Sequence, residues 1–391
     1  MRKIIIGSES FFPNISGVAT TTQVLAKNLA KQGWQVFVFA PSQFFKTFED
    51  SNFREYKVIR FRSIPNPLRK GFRFSAFAKS QIIKKVAEIQ PDIIHLQDPT
   101  SICSALLKAG QKFKIPVVIT NHFYLDYIIS YLGFLKIFKK QIRAILRRHL
   151  ANFYNQCQYI ICPTESVKKE LFKWGVKRSI TAISNVIDLS RFYAHENLGN
   201  FYLKYHLPNN PLVLYFGRVD KDKEVTVLIK AAPLVLKEIE AHFVIGGAGD
   251  ELEKLKNLAQ SLGLEGKISW LGWIKHESED LPKIYQAAKV FVIPNRHETQ
   301  SIVTLEAMAA GLPVVAANSG ALPELVQNNQ NGYLFYPGDE KDLANKIVSL
   351  LKDEQKRKQM AEKSLEISSN HQIQQNLAKI KRIYEIALKA C

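Results

Sequence analysis

Short β-branched runs alternate with longer amphipathic segments over nearly all of this sequence, and few folds accommodate that order. KIIIG (3–7) reads as a buried strand, SESFFPNISG (8–17) as a polar loop, and VATTTQVLAKNLAKQG (18–33) as a helix stopped by Gly33. VFVFAP (36–41) reads as a strand closed by Pro41. A helix over 82–90, a strand over 92–98, a helix over 100–113, a strand over 116–122 and a strand–turn–helix over 159–175 continue the series. A second series starts near Leu212. It has a strand entering a loop at 211–220, a strand, Gly-rich turn and helix over 242–263, and strands at 267–273, 289–295 and 313–320, with helical patterns between them. Strand–helix alternation predicts parallel sheets covered on both faces. The expected fold class is therefore α/β, with two Rossmann-like doubly wound domains over 1–190 and 205–365. The stretch 188–210 lacks periodicity and reads as the linker. In open sheets of this kind ligands sit beyond the carboxyl ends of the strands. Two such sheets facing each other would form a cleft, so the loops after strands are the places to look for a site.

A length of 391 residues suits two cores rather than one. With 46% hydrophobic and 23% charged residues, the composition excludes a disordered chain. The four cysteines form no CxxC pair, which points away from a zinc ribbon or disulfide framework and towards a reducing compartment. The N-terminal apolar run is three isoleucines, short for a signal peptide, and no run of 18 apolar residues suggests a membrane span. Charge is uneven. Residues 1–200 hold 30 Lys and Arg against 12 Asp and Glu, whereas residues 201–391 hold 24 against 23. A basic half implies an anionic partner there.

The densest candidate segment is PNRHETQSIVTLEAMAAGLPVVAANSGALPE (294–324). Glu298 ends a loop after a strand, and Glu306 lies eight residues on, within a helix. Between them Thr299, Gln300, Ser301, Ile302 and Val303 present backbone N–H groups at a helix start, where unsatisfied donors and the helix dipole favour phosphate. Carboxylates accept from sugar hydroxyls, so this loop suits a hexose, a diphosphate and a ribose in turn. A dipole-favoured Glu plus a surface Glu is the plainer alternative. In FGRVDKDKEVTVLI (216–229), Arg218 and Lys223 share a short loop where two cations can clamp a diphosphate; DKDKE reads equally as a solvated loop. GGAGD (246–250) lacks the rest of a dinucleotide fingerprint and reads as a tight turn for strand–helix packing. Gly17 precedes a helix, where the absence of a side chain permits close ligand approach. His122 falls at a strand's carboxyl end, facing the expected cleft, whereas His95 sits inside an apolar strand as a core histidine.

The basic half also contains YLGFLKIFKKQIRAILRRHL (131–150). Phe134, Leu135, Phe138, Ile142, Ile145 and Leu146 fall near one helical face. Lys136, Lys139, Lys140, Arg143, Arg147 and Arg148 occupy much of the rest. This matches a helix lying at an anionic membrane surface, each cation contributing about 1 kcal/mol; a helix packed on its own domain is the alternative. RFRSIPNPLRKGFRF (60–74) adds further basic and aromatic residues. No nucleic-acid module appears, so a nucleic-acid partner is not expected.

Taken in order, PNISGV, DIIHLQD, TNH (120–122), NVIDLSRF (185–192), GRVDKDK, GGAGD, the E-x7-E pair with its AMAAGLPVVA continuation, and NGYLF (331–335) resemble the retaining glycosyltransferases of family 4, over residues 1 to about 385. The resemblance implies the two-domain GT-B fold, with a final helix over about 372–389 crossing back to the first domain. It implies that Glu298 and the Thr299–Val303 backbone bind the donor hexose and Glu306 the ribose. Arg218 and Lys223 would hold the diphosphate with Gly17 approaching it, His122 would lie beside the anomeric carbon, and Trp273 and Ile274 would lie near the base. The sequence departs from the family pattern at Glu224, where Gly often stands, at Ser184–Val186 in place of P-N-G, and at Gln97 in place of a second His. None of these removes a charged donor-site group.

The expected activity is a metal-independent, retaining hexosyl transfer from a nucleotide-sugar, UDP-glucose above all, to a membrane lipid such as diacylglycerol. The enzyme would need no cofactor and would work as a peripheral protein at the inner face of the cell membrane, in the cytoplasm. A family member acting on a sugar or polysaccharide precursor, and a nucleotide-sugar isomerase on the same fold, are the alternatives.

Overall fold

The computed structural model describes residues 1–14, 16–66, 72–122, 124–125, 138–193 and 198–389. The chain divides into two compact units, Met1–Ile187 with Ile373–Cys391, and Asp188–Gln372.

In the first unit the strands are β1 (Lys3–Gly7), β2 (Gln35–Pro41), β3 (Phe48–Asp50), β4 (Lys57–Phe61), the short pair β5 (Ile64–Pro65) and β6 (Arg73–Phe74), β7 (Ile93–Leu96), β8 (Val117–Thr120), β9 (Tyr159–Cys162) and β10 (Ile180–Ala182). Their main sheet runs β10-β9-β8-β7-β1-β2-β4-β3. Every pairing is parallel except β3 with β4. The isoleucine run of β1 follows from burial on both faces, since successive side chains point to opposite sides. Ile5 joins a core with Phe39, Leu96 and Leu106. Ile4 and Ile6 join another with Leu25, Leu29 and Val38. The helix Ile373–Lys389 adds Leu377, Ile380, Ile383 and Tyr384 to that second core. Tyr384 also reaches His95, whose Nδ1 lies 2.6 Å from its hydroxyl while Nε2 lies 2.7 Å from Thr120 Oγ1. His95 is thus a fully buried core residue with both ring nitrogens partnered, and burial, with a smaller contribution from His122, pushes its pKa down to about 3.

In the second unit the strands are β11 (Leu212–Phe216), β12 (His242–Gly246), β13 (Ile268–Gly272), β14 (Val290–Ile293), β15 (Val314–Ala317) and β16 (Gly332–Phe335). They form an all-parallel sheet ordered β13-β12-β11-β14-β15-β16. The division between the units falls at the start of the stretch read as the linker, and its described residues include packed elements. A 3₁₀ turn (Ser190–Phe192) buries Phe192 against Tyr285 with ring centroids 5.5 Å apart, and the helix Gly199–Lys204 buries Phe201. Arg191 donates to the carbonyls of His276 (2.6 Å) and Ser278 (2.7 Å). Single anchoring aromatics leave no periodic trace, which is why this stretch reads as irregular. Among the described residues no helix is long and apolar enough to cross a membrane. Cys103, Cys157 and Cys162 are buried free thiols; Cys391 lies outside the described residues.

Candidate active site

Sheet order locates the site before any side chain does. In the second unit the chain leaves β11 towards β13, then returns to add β14 on the other side of β11. The crevice beyond a reversal of this kind is where open α/β sheets bind ligands. The loops after β11 and β14 carry Arg218, Lys223 and Glu298.

Lys223 and Glu298 are 75 residues apart in sequence, yet Lys223 Nζ lies 2.6 Å from Glu298 Oε1. Both side chains are largely withdrawn from water. Asn295, fully buried at the end of β14, donates from Nδ2 to the same oxygen at 2.8 Å. Arg218 bonds Asp220 and, at 3.0 Å, Asp222 Oδ2, and Asp222 Oδ2 lies 4.0 Å from Lys223 Nζ. The cations thus sit in one network with three carboxylates rather than in open solvent. Tyr215 donates its hydroxyl to the Arg218 carbonyl at 2.5 Å, holding the loop over its strand.

Glycine closes this loop against its neighbour. At Gly247 (φ +127°) a Cβ would stand 1.7 Å from the Gly217 carbonyl oxygen, and at Gly249 a Cβ would stand 2.4 Å from Val219. GGAGD is therefore a close-packing turn: Gly247 and Gly249 meet the loop after β11, and at Gly246, the end of β12, a Cβ would stand 2.4 Å from Phe216 and 3.2 Å from Ile284 of the helix Asp280–Ala287, the strand–helix packing expected. At Glu224, the family's usual glycine position, φ is +49°, and the side chain pairs with Arg296 at 3.1 Å. Burial raises the Glu224 pKa against the opposing pull of Arg296.

Ser301 caps the helix Ile302–Ala309 by accepting from the Thr304 N–H, and Thr299, Gln300 and Ser301 are buried, with Ile302 and Val303 partly so. Within this helix Glu306 accepts from the Tyr285 hydroxyl (2.7 Å) and lies 3.1 Å from His276 Nε2. Burial opposes charge on His276, but the hydrogen bond and charge of Glu306 outweigh it and raise the histidine's pKa. Burial and Glu306 together raise the Tyr285 pKa well above that of a free phenol. Ile274 is buried, and Trp273 is partly exposed beside Phe216.

In the first unit the sheet reverses between β1 and β7. Gly17 opens the helix Gly17–Lys31, capped by Ser16. His122, beyond β8, places Nε2 2.8 Å from Gln97 Oε1, beyond β7, and burial pushes its pKa down to about 4. Glu9 and Asp98 fill the reversal itself. Glu9 accepts from the Ser75 N–H (3.1 Å) and from Ser101, and Asp98 accepts from the Glu9 N–H at 2.8 Å. Burial raises the pKa of both.

Of the basic segment, Phe134 and Lys136 lie outside the described residues. The helix Lys139–Tyr154 buries Leu150, Ala151, Phe153 and Tyr154 in the unit's core, while Phe138, Lys139, Lys140 and Ile145 are exposed. Its apolar face is thus divided between core and solvent. A cavity of about 570 Å³ is lined by Lys140, Arg143, Arg147, Arg148 and Trp174, with Arg147 3.5 Å from Glu170.

Asn295, Asp222, His276 and Tyr285 escape the sequence reading, and Gln97 enters it only as a departure from the family pattern. Only Asp222 leaves a signal, four residues after Arg218 in the same motif. Among the described residues, no group of three His, Cys, Asp or Glu could hold a metal.

Each of the two sheets thus has a reversal fringed by strand-end loops, the two-domain architecture in which open α/β sheets bind ligands. The profile "Glycosyltransferase Family 4" matches residues 15–191, and "Glycosyl transferases group 1" matches residues 204–366. The chain belongs to this glycosyltransferase family and has its GT-B fold. It is 29% identical to the alpha-monoglucosyldiacylglycerol synthase of Streptococcus pneumoniae, over 99% of this chain and 86% of that protein. It is 28% identical to the enzyme of the same name from Acholeplasma laidlawii, over 86% of each. The Anabaena protein HepE, solved in complex with UDP-glucose, matches 98% of this chain and 100% of its own with a TM-score of 0.79 and 21% identity, a likeness of fold.

Proposed function

We propose that the enzyme transfers glucose from UDP-glucose to the hydroxyl of diacylglycerol with retention at the anomeric carbon. The observation that carries this reading is the Lys223–Glu298 contact at 2.6 Å, supported by Asn295, at the reversal of the second sheet. An ammonium for phosphate and a carboxylate for sugar hydroxyls, held side by side, suit the junction of a sugar with its leaving diphosphate. Arg218, Lys223 and the start of the helix Ile302–Ala309 stabilise the negative charge as the sugar–phosphate bond breaks. Glu298 and the Thr299–Val303 backbone hold the hexose, Glu306 the ribose, and Ile274 the base. From the first unit, Gly17 serves the diphosphate and His122 the anomeric carbon, as the family resemblance implies. The acceptor oxygen bonds to the anomeric carbon on the face that the phosphate leaves, and the departing phosphate takes the hydroxyl proton. In this reading the protein's own cations do the work of a metal.

The names of the two relatives and the basic character of the first half support a lipid acceptor. In this reading Phe138, Lys139, Lys140, Arg143 and Arg147 contact an anionic membrane, and the enzyme acts as a peripheral protein on its cytoplasmic face. The test is incubation with a panel of UDP- and GDP-sugars, with and without anionic vesicles containing diacylglycerol, and identification of product by mass. Glucosyl-diacylglycerol formed from UDP-glucose, and lost in Lys223→Ala, is the expected result. A product on a water-soluble acceptor only, or full transfer by Lys223→Ala, would overturn the reading.

A further inference from the structure

Three phenylalanines stand out of the first unit on a braced scaffold. Phe44 and Phe45, in the loop after β2, are 67% and 61% exposed, and Phe77, in the turn Ala76–Ala78, is 58% exposed. Rings of this size are rarely left so bare in a cluster on a soluble surface. The loop is not loose. Ser42 Oγ accepts from the Phe44 N–H at 2.9 Å, and the Arg62 N–H donates to Thr47 Oγ1 at 3.1 Å. Arg62 ties the Phe44–Phe45 loop to the Phe77 turn. Its guanidinium lies 5.6 Å from the centre of the Phe45 ring and donates twice to the Phe77 carbonyl, at 3.1 and 2.6 Å.

The chain segments that carry the patch are basic, while the nearby carboxylates are engaged, Glu9 by Ser75 and Glu49 by Lys57. Segments 42–47, 61–66 and 72–81 contain Lys46, Arg62, Arg73 and Lys79 and no Asp or Glu. Exposed apolar rings beside cations fit a bilayer interface rich in anionic headgroups, where rings enter the acyl boundary and cations stay at the phosphates. A protein partner with an acidic apolar groove would need a matching shape; a bilayer needs only this composition. The position matters too. The loop follows the carboxyl end of β2, and Arg62 follows that of β4. Both strands run parallel to β7 and β8, whose carboxyl ends carry Gln97 and His122.

We propose that Phe44, Phe45 and Phe77, with Lys46 and Arg62 beside them, form an interfacial wedge that seats the strand-end edge of the first unit on an anionic lipid surface. This deepens the lipid-acceptor reading and rests on it for the choice of partner. It differs from the Lys139–Tyr154 helix in residues and in the apolar character of its contact.

The experiment is co-sedimentation of the full chain with vesicles of equal parts phosphatidylcholine and phosphatidylglycerol. It compares wild type with Phe44→Ser/Phe45→Ser, Phe77→Ser and Lys46→Gln. Burial of one ring is worth about tenfold in partitioning, and one cation near the surface about fivefold. The double variant should lose tenfold or more, Phe77→Ser somewhat less, and Lys46→Gln the least. Salt should erase only the cationic share. All these side chains are exposed, so melting temperatures should match wild type. Transfer to diacylglycerol presented in detergent micelles should be unchanged. Unaltered sedimentation of the double variant, no vesicle binding by wild type, or a wild-type dimer that the double variant dissolves would each overturn the wedge. Failure of the lipid-acceptor reading would appear separately, as wild type making no glucosylated lipid in micelles.

Discussion

Asn295 offers the sharpest test of the proposed donor site, because the same position can be emptied or, at nearly unchanged size, made repulsive. Its Nδ2 donates at 2.8 Å to the Glu298 oxygen that also receives Lys223 at 2.6 Å. A hydrogen bond to a charged group contributes about 1.5–3 kcal/mol. With Lys223 still in place, Asn295→Ala should release only part of that, about 1–2 kcal/mol. If Glu298 holds the hexose in the transition state, kcat/KM should fall by roughly 5- to 30-fold. Asn295→Asp keeps the shape but sets a second carboxylate where the donor was. At 2.8 Å two charges repel by about 6 kcal/mol in an effective dielectric of 20, before any relaxation. Two carboxylates so close take up a proton rather than both remain ionised.

The aspartate variant should therefore be worse than the alanine variant at neutral pH, by a further tenfold or more. Part of that deficit should disappear as pH is lowered and the pair is protonated. Asn295→Ser, which can still donate, should lie nearest wild type. Steady-state kinetics with UDP-glucose at several pH values measure all three, and melting curves check the fold. The Asn295 Oδ1 atom has no partner among the described residues, so its removal should leave stability within about 2 kcal/mol. Equal kcat/KM for the aspartate and alanine variants across pH, or values for both within twofold of wild type, would refute the positioning of Glu298 by this side chain.

Other consequences concern stability and loop geometry. The raised pKa of His276 means that its pairing with Glu306 stabilises the fold fully below the unfolded value of 6.5 and is lost as pH rises through the raised value. The melting advantage of wild type over His276→Gln should accordingly shrink from acidic to alkaline buffer. Arg60 and Asp50 pair at 3.0 Å with both side chains more than nine-tenths buried, so Arg60→Ala should destabilise by about 3–5 kcal/mol in denaturant titration. Gly247→Ala places a Cβ against the Gly217 carbonyl; the loop carrying Arg218 must move, and UDP affinity measured by calorimetry should fall at least tenfold even in folded protein. Glu224→Gly relieves a left-handed residue, worth about 1–2 kcal/mol, but loses the Arg296 pair, so its melting temperature should change little.

How much of this was legible in the sequence depends on how local each cause is. Strands buried on both faces announce themselves as apolar runs, and β1, β7, β8, β11, β14 and β15 are visible for that reason. β4 (KVIRF) is not, because Arg60 interrupts the run. Burying that arginine requires Asp50 on antiparallel β3, and no spacing rule foretells such a pair. Phe192 and Phe201 anchor the stretch after 187 singly, so it has no period to read. The contact of Lys223 with Glu298 was approachable only because both lie in loops after strands that the sheet order makes neighbours. Asn295 looks like an ordinary turn residue, and its role exists only once β14 lies beside β11. Glu9 and Asp98 likewise become a pair through the pairing of β1 with β7.

The pairing of the cations bears on how such a site can favour a transition state over a bound substrate. Arg218 is engaged by Asp220 and Asp222, and Lys223 by Glu298. Two cations facing three carboxylates exert no strong net pull on a diphosphate at rest. A ligand must therefore redistribute existing bonds rather than fill an empty positive socket. In the proposed reading the hexose hydroxyls share Glu298 with Lys223, and phosphate then becomes the better partner for the ammonium as charge grows on the leaving oxygen. Interactions that strengthen only as charge develops lower the barrier, whereas uniform attraction would lower only the substrate concentration required. In that reading the carboxylates next to these cations are part of the catalytic balance. Asp222→Asn, which frees Arg218 from its closest fully buried acid, should tighten UDP binding while leaving kcat unchanged or lower. Tighter UDP binding together with a higher kcat would show that the acid plays no part in that balance.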